Sequence, residues 1–395
     1  MIVFEHLRVL IDRIPYAEGN IGEEAILASL LQDLAACGVR DITLISNMPE
    51  RSRRRHGDRV RVFADRPSRW GFLPAEVSKA DLFIWGGGHM LQDRSSRLYI
   101  PYVVRNLLLA RLFGTARFVY APGLGPVLTR MGKCLSYRAL KGARITLRDD
   151  ASAKLLDSIR LGGAYKITAD PAFTLETPTE NSNKNHQGGE IIVGFAPRRH
   201  FYRWGGWLPV QWQSPNVEKN IAFERFLQET AATLDRIAES FRARIRLIPM
   251  DIGPNPRDDL ICHRVLNYMV LRDRAEIQDD DPDLSEFVRR LGELDLLISS
   301  RLHGIILGMR FGLPFIGIDS DGKIREHASS IGFQDYVVRD ADLDRDVLYA
   351  LASQALSHKE KIRAELLHHQ AVMKSRAEQN RAELLHCLEA VAANQ

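Results

Sequence analysis

Short apolar runs alternate with longer amphipathic stretches along the first part of the chain. The apolar runs predict strands at residues 7–11, 41–46, 80–85, 116–122 and 144–147. The amphipathic stretches predict helices at 21–37 and 99–113. Strands that alternate with helices of this length form parallel βαβ units. The pattern therefore predicts an N-terminal α/β domain over residues 1–176.

This alternation stops at residues 177–190, where the composition becomes polar and no apolar period remains, as is typical of a domain linker. The pattern then resumes, with strands predicted at 191–196, 245–250, 294–299 and 314–318. These strands predict a second α/β domain over residues 191–344. From residue 345 to 395 the apolar residues follow one helical stripe, which indicates packed terminal helices.

A chain of 395 residues is too long for one ordinary core, which fits this division. The predicted fold class is therefore α/β, with two Rossmann-like domains that face a cleft and with C-terminal helices. In open α/β sheets, ligands bind outside the carboxyl ends of the strands. Side chains that directly follow a predicted strand are accordingly the candidates for a binding site.

The strongest candidates follow the predicted strand 294–299, where Ser300, Arg301 and His303 open a helix that Gly312 ends. A helix N-terminus favours an anion, so Arg301 and His303 are well placed for a phosphate or a carboxylate. The alternative is that Arg301 pairs with an acidic neighbour and that His303 is a satisfied interior histidine.

Three glycine-rich turns follow strands of the first domain and predict a ligand cleft, because glycine lets the backbone approach a ligand closely. The first holds Asn20 and Gly22, although Asn20 also suits the N-cap of a helix. The second holds Gly87 and Gly88, followed by His89 and Asp93 as candidate acid–base or hydroxyl-binding groups. The third turn holds Gly123. A sharp turn with incidental polar residues is the alternative for the second.

Two arginines also follow predicted strands: Arg148 after 144–147 and Arg198 after 191–196. A guanidinium binds a carboxylate or phosphate through two hydrogen bonds, although Arg148 could equally pair with the aspartates beside it. The aromatic residues within 201–212 suit stacking on a sugar or, equally, a buried cluster. The basic run 51–56 predicts a solvated loop, with a membrane or partner contact as the less favoured interpretation.

Composition narrows the class of protein. Hydrophobic residues make up 45% of the chain, charged residues 26%, and the net charge is +4. This balance fits an anionic substrate or loose contact with an acidic membrane surface and requires no nucleic acid. Four widely spaced cysteines argue against a zinc site or a disulfide framework. We see no signal peptide and no apolar run long enough to span a bilayer, so we expect a cytoplasmic protein, with peripheral association at the inner face of the membrane as an option.

Several motifs, taken in the order in which they occur along the chain, resemble those of the polysaccharide pyruvyl transferases. They are NIGEEAIL (20–27), GGG (86–88), GLGP (123–126), TLRDDAS (146–152), ADPAF (169–173), VGFAPR (193–198) and SSRLHGIILGMRFGLPFIGIDSDGK (299–323). The resemblance implies a glycosyltransferase-B-like fold and phosphoenolpyruvate as the donor substrate. It also implies that the product is a pyruvate ketal on a sugar of an exopolysaccharide or cell-envelope precursor.

The chemistry of such a reaction suggests roles for these residues. Phosphoenolpyruvate carries a carboxylate and a phosphate, so we assign Arg148 and Arg301 to these anions, supported by Lys323 and helix N-terminal amides. His303 is the candidate acid–base group, with His89 or Asp93 as the second. We expect no metal and no cofactor besides the donor substrate.

Two other functions compete with this interpretation. One is a glycosyltransferase of the same shape that uses a nucleotide-sugar donor. The other is a non-catalytic homologue that binds glycans or acts as a scaffold. In the pyruvyl transferase interpretation the acceptor is a sugar or a lipid-linked oligosaccharide, and the protein could form a homo-oligomer.

Overall fold

Strands and helices alternate through most of the chain. In the computed structural model the described residues are 4–15, 19–177, 189–199, 206–207, 217–253, 257–278 and 281–394. Their strands are β1 (Arg8–Asp12), β2 (Asp41–Ser46), β3 (Arg61–Ala64), β4 (Leu82–Gly86), β5 (His89–Met90), β6 (Ala116–Tyr120), β7 (Gly123–Leu124), β8 (Arg144–Leu147), β9 (Lys166–Ile167), β10 (Ile192–Ala196), β11 (Arg244–Leu247), β12 (Ala275–Ile277), β13 (Leu296–Ser299), β14 (Phe315–Asp319) and β15 (Val337–Arg339). Their helices are α1 (Ile21–Ala36), α2 (Pro49–His56), α3 (Leu73–Lys79), α4 (Tyr99–Leu112), α5 (Arg130–Leu140), α6 (Asp150–Ser158), α7 (Val217–Ser240), α8 (Asp258–Tyr268), α9 (Leu284–Leu291), α10 (Leu302–Met309), α11 (Lys323–Ser330), α12 (Arg345–Ser357) and α13 (Lys359–Ala392).

Two parallel sheets organise these elements. The first has the strand order β3-β2-β1-β4-β6-β8-β9 and the second β12-β11-β10-β13-β14-β15. The central strands β4 and β13 are buried along their whole length, because helices cover both faces of each sheet. The α/β class predicted from the sequence, with parallel sheets and C-terminal helices, is thus confirmed. Residues 178–188 of the predicted linker and most of the aromatic run 201–212 lie outside the described residues.

The long C-terminal helix α13 returns to the first sheet. Its Glu383 forms ion pairs with Arg144 at 2.6 Å and with Lys166 at 3.1 Å, at the start of β8 and of β9. Asn380, which is fully buried, accepts a hydrogen bond from Thr168 at 2.8 Å and donates one to the carbonyl of Ala169 at 3.0 Å. The helix therefore supports the backbone that leads into Asp170.

The basic run 51–56 was predicted as a solvated loop, and this prediction is wrong. These residues belong to helix α2, which begins with Pro49 at a position where proline is favoured. Arg51 is buried, and its Nη2 lies 2.6 Å from Oδ1 of Asp281. Asp281 precedes helix α9, which leads into strand β13 of the second sheet. The run contains no regularly spaced apolar residues, so the hydrophobic pattern could not predict this helix. An ion pair between Arg51 and Asp281 holds the helix in place.

No helix in the described part of the chain is both long and apolar enough to cross a bilayer.

We expect Asn380→Ala to destabilise the protein by about 2 kcal/mol, because the change leaves the carbonyl of Ala169 without the hydrogen bond that it accepts from the fully buried Asn380. The hydroxyl of Thr168 keeps the carbonyl of Leu147 as an acceptor. Urea denaturation would measure the free energy of unfolding. Asn394→Ala is the matched control, since Asn394 makes only an exposed contact near the end of the same helix. Equal stability of the two variants would contradict this role for Asn380.

Candidate active site between the two sheets

The carboxyl ends of the two sheets meet at the N-terminus of α1. The amide of Ile21 donates to the carbonyl of Met250 at 2.9 Å, and Asn20 forms a β-bridge with Asp251. A Cβ placed on Gly22 would lie 2.3 Å from Cγ of His303 in α10. Glycine at this position is therefore what allows the first turn of α1 to touch the histidine of the other domain.

A buried carboxylate, Asp170, lies at the centre of the site. Its Oδ2 accepts a hydrogen bond from Arg148 at 2.8 Å and lies 3.4 Å from Nε2 of His303. Burial alone would raise the pKa of Asp170, but the charges of His303 and Arg148 outweigh it and hold the pKa well below its usual range. Asp170 is thus ionised, and its partners follow strands of both sheets, Arg148 after β8 and His303 after β13.

Hydrogen-bonding capacity remains in this group. Nε of Arg148 and Nε2 of His303 are buried, and each lies 3.4 Å from a carboxylate oxygen, of Asp149 and Asp170 respectively, without forming a hydrogen bond within the described chain. Buried donors of this kind are normally satisfied, so their presence in a cleft favours a polar ligand. Glycine at position 123 is what leaves space for Arg148. A Cβ at this position would lie 2.5 Å from Nη2 of Arg148 and would clash with it.

A second group surrounds Lys323, the first residue of α11. Its Nζ lies 2.9 Å from Asp321, which also pairs with Arg198 at 3.2 Å. Burial, together with repulsion from Arg198 and Arg148, lowers the pKa of Lys323 to about 8, although Asp321 opposes the shift. The pKa of Asp321 is lowered well below its usual range, because the charges of Lys323 and Arg198 outweigh the effect of burial.

His89 joins the two groups. Its Nε2 contacts the carbonyl of Gly125, which can only accept, so this nitrogen carries the proton. Burial and the positive charges of Lys323 and Arg148 lower the pKa of His89 well below its usual value. His89 is therefore a neutral imidazole whose Nδ1 is an acceptor. The preceding glycines turn the chain here, since Gly87 and Gly88 have φ of 69° and 49°.

Arg301 occupies a different network. It forms two hydrogen bonds with Asp258, at 2.9 and 2.7 Å, and its Nη1 lies 3.3 Å from Asp251. Burial raises the pKa of Asp258 to about 6, against the attraction of Arg301. This is the pairing with acidic neighbours that the sequence left open. The assignment of Arg301 to a substrate anion stays a prediction, and such an anion would have to compete with two carboxylates.

Three other predicted site residues have structural contacts. Asn20 is the N-cap of α1, because its Oδ1 accepts from the amide of Gly22 at 3.0 Å. Asp93 accepts hydrogen bonds from the amides of Leu128 and Thr129, at 2.6 and 2.9 Å, and so holds the loop before α5. Ser300 follows β13, and its buried Oγ has no hydrogen-bond partner within the described chain.

One histidine of the site was not predicted. His327 lies one helical turn after Lys323 on α11, and its Nε2 is 3.4 Å from Sδ of Met309. Burial lowers the pKa of His327 to about 4, and the charges of Arg148 and His303 act in the same direction. The sequence could have indicated His327, because it lies four residues after Lys323 and residues four apart share one face of a helix. No role was predicted for Asp170 or Asp321 either, because a carboxylate that balances cations has no motif of its own.

Among the described residues, no group of three or more histidines, cysteines, aspartates or glutamates is arranged to hold a metal ion.

Comparison with known proteins assigns the chain. The family model for polysaccharide pyruvyl transferase matches residues 20–322, and these residues include every predicted site residue except Lys323. The chain belongs to the polysaccharide pyruvyl transferase family. The family is one of transferases. No curated protein matches the chain.

The fold of this family member is similar to that of solved glycosyltransferase-B-type proteins. One is UGT89C1 of Arabidopsis thaliana in complex with UDP, with a TM-score of 0.60, 10% identity and coverage of 97% of this chain and 99% of that one. Another is the UDP-GlcNAc 2-epimerase of Neisseria meningitidis, with a TM-score of 0.58, 11% identity and coverage of 96% and 99%. The predicted glycosyltransferase-B-like fold is therefore confirmed.

In this pyruvyl transferase family member we expect Gly22→Ala to displace His303, because the new methyl group would overlap its ring. The variant should lose about 1–3 kcal/mol of stability, as overpacked sites do. Gly71→Ala is the control, since a Cβ at Gly71 meets no atom within 4 Å. Thermal unfolding of both variants would measure the difference, and a Gly22→Ala variant as stable as the control would contradict the contact.

Proposed function

We propose that this protein transfers pyruvate from phosphoenolpyruvate to a sugar of a polysaccharide or cell-envelope precursor, forming a pyruvate ketal and releasing phosphate. The observation that carries the proposal is the meeting of cations from both domains. Arg148 follows β8 of the first sheet and Lys323 follows β14 of the second, and the two are close enough for each to affect the pKa of His89. A small molecule with two anionic groups matches this arrangement.

In this proposal Arg148 and Lys323 hold the carboxylate and the phosphate of the donor. Arg148 offers its buried Nε, while Asp170 fixes the orientation of the guanidinium. Lys323 supplies a compact charge as the first residue of α11. The amides of this turn already donate to Asp319 and Asp321, so the anion is bound by the ammonium group and not by the helix. Asp321, which also pairs with Arg198, keeps the ammonium group in place.

His303 and His89 have opposite roles in the proposed reaction. A proton from Nε2 of His303 reaches the methylene carbon of the donor, and the adjacent carbon gains oxocarbenium character. One sugar hydroxyl attacks that carbon and gives its proton to the neutral Nδ1 of His89. Phosphate then leaves, and the second hydroxyl attacks the same carbon. The second hydroxyl gives its proton to the released phosphate, and the proton held by His89 returns to His303 through water, so both imidazoles regain their starting states.

Incubation of the protein with phosphoenolpyruvate and candidate sugar precursors tests the reaction. We expect phosphate release and an acceptor whose mass increases by one pyruvate less one water. Phosphoenolpyruvate should also raise the melting temperature, whereas nucleotide-sugars should leave it unchanged. Stabilisation by a nucleotide-sugar alone would instead favour a glycosyltransferase.

His303→Gln should lower turnover by about 10²-fold or more, the usual contribution of general acid–base catalysis. Phosphate release under saturating donor measures the effect. His263→Gln is the matched control, because His263 lies exposed on α8. If His303→Gln keeps full ligand binding and leaves the cellular phenotype untouched, a non-catalytic glycan-binding role replaces the proposal.

The affinity for phosphoenolpyruvate should fall as the pH rises through about 8, because Lys323 then loses the charge that binds the donor. The dissociation constant should increase by up to about tenfold per pH unit in that range. Lys323→Arg should abolish this dependence, since a guanidinium stays protonated. Calorimetric titrations at several pH values test the prediction, which a constant wild-type affinity would contradict.

A further inference from the structure

The charge of the chain is strongly segregated along the sequence. No acidic residue lies between Asp93 and Asp149, although this segment contains eleven lysines and arginines. The whole chain has a net charge of only +4, so the remaining residues together are acidic. Arg105, Arg144 and Arg148 pair with acidic residues from other parts of the chain and so serve the fold. The cations of this segment that remain at the surface are the candidates for contact with an anionic partner.

This basic segment folds into neighbouring helices of the first domain. The segment includes α4, β6, α5 and β8. A Cβ on Gly132 would lie 2.9 Å from Cδ1 of Ile100, so the first turns of α4 and α5 are in contact. At the other end Arg111 donates to the carbonyl of Arg138, which shows that the two helices run in the same direction. Both begin at the carboxyl edge of the sheet, where the cleft opens.

The N-terminal ends of α4 and α5 expose apolar and basic side chains together. We name this surface the α4–α5 patch and define it by the exposed residues Arg97, Leu98, Leu128, Arg130, Met131 and Lys133. The exposed fractions of Leu98, Leu128 and Met131 are 44%, 66% and 43%. None of the ion pairs within the described residues includes a cation of the patch. Asp93 holds the loop that carries Leu128, so the exposed leucine stands on an ordered backbone.

We propose that the α4–α5 patch docks the protein on an anionic lipid bilayer. Aliphatic side chains flanked by arginine and lysine suit the boundary between acyl chains and negatively charged headgroups. Trp207 lies next to the patch, because the centroid of its ring is 5.1 Å from Cζ of Arg97. Its side chain is 60% exposed, and tryptophan is typical of membrane interfaces. Leucine and methionine offer no stacking surface for bases, so a nucleic acid fits the patch less well.

Docking through this patch places the mouth of the cleft beside the membrane. A lipid-linked acceptor could then reach the site without leaving the bilayer, a consequence that rests on the proposed function. Lipid binding itself needs neither the donor nor turnover. A failure of the membrane proposal is therefore distinguishable from a failure of pyruvyl transfer.

Sedimentation of the full chain with vesicles tests the proposal. We expect binding to vesicles of phosphatidylcholine with phosphatidylglycerol, weaker binding at high salt, and none to phosphatidylcholine alone. A variant with Leu128→Ser, Arg130→Ser, Met131→Ser and Lys133→Ser should bind at least about 30-fold more weakly, since each cation alone contributes about fivefold.

The matched control removes the same kinds of side chain from α13: Lys361→Ser, Leu367→Ser, Val372→Ser and Lys374→Ser, all at exposed positions. It should bind like the wild type, and both variants should keep the wild-type melting temperature within a few degrees. The proposal is overturned if the wild type ignores anionic vesicles or if the control loses as much affinity as the patch variant. It is also overturned if the patch variant loses affinity for RNA and keeps its affinity for vesicles.

Discussion

The contact of Asp170 with Arg148 and His303 is the interaction on which the site depends. A buried carboxylate is costly unless other groups balance it, and here the guanidinium of Arg148 and the imidazole of His303 reach it from elements of the two sheets. Asp170 thus connects the carboxyl ends of the two sheets. Helix α13 reinforces this position, because Asn380 binds the residues immediately before Asp170.

Paired charges recur around the cleft. Lys323 and Arg198 share Asp321, and Arg301 is bound by Asp258 and Asp251. The carboxylates hold long basic side chains in one conformation before any ligand arrives, which reduces the entropy that binding must overcome. The same crowding of cations keeps His89 neutral and lowers the pKa of Lys323 into the range where an enzyme can use it.

Arg301 shows how a sequence motif and a three-dimensional site can differ. Its place after a buried strand favoured an anion-binding role, and the structure gives its guanidinium two carboxylate partners from α8 and the preceding loop. Lys323, a supporting residue in the sequence interpretation, instead interacts electrostatically with both Arg148 and His89. Which cation meets which anion depends on contacts between residues far apart in the chain.

The sequence alone determined the α/β class and the positions of most strands. The sequence also marked the turns that carry Gly22, Gly88 and Gly123. Gly88 meets a local requirement of the backbone through its positive φ, whereas glycine at 22 and 123 is required by contacts with His303 and Arg148. Only the tertiary structure decided that α2 is a helix, that His327 joins the site, and that Asp93 belongs to a loop. These outcomes depend on ion pairs, burial and hydrogen bonds across the fold, and such long-range contacts leave no period in the sequence.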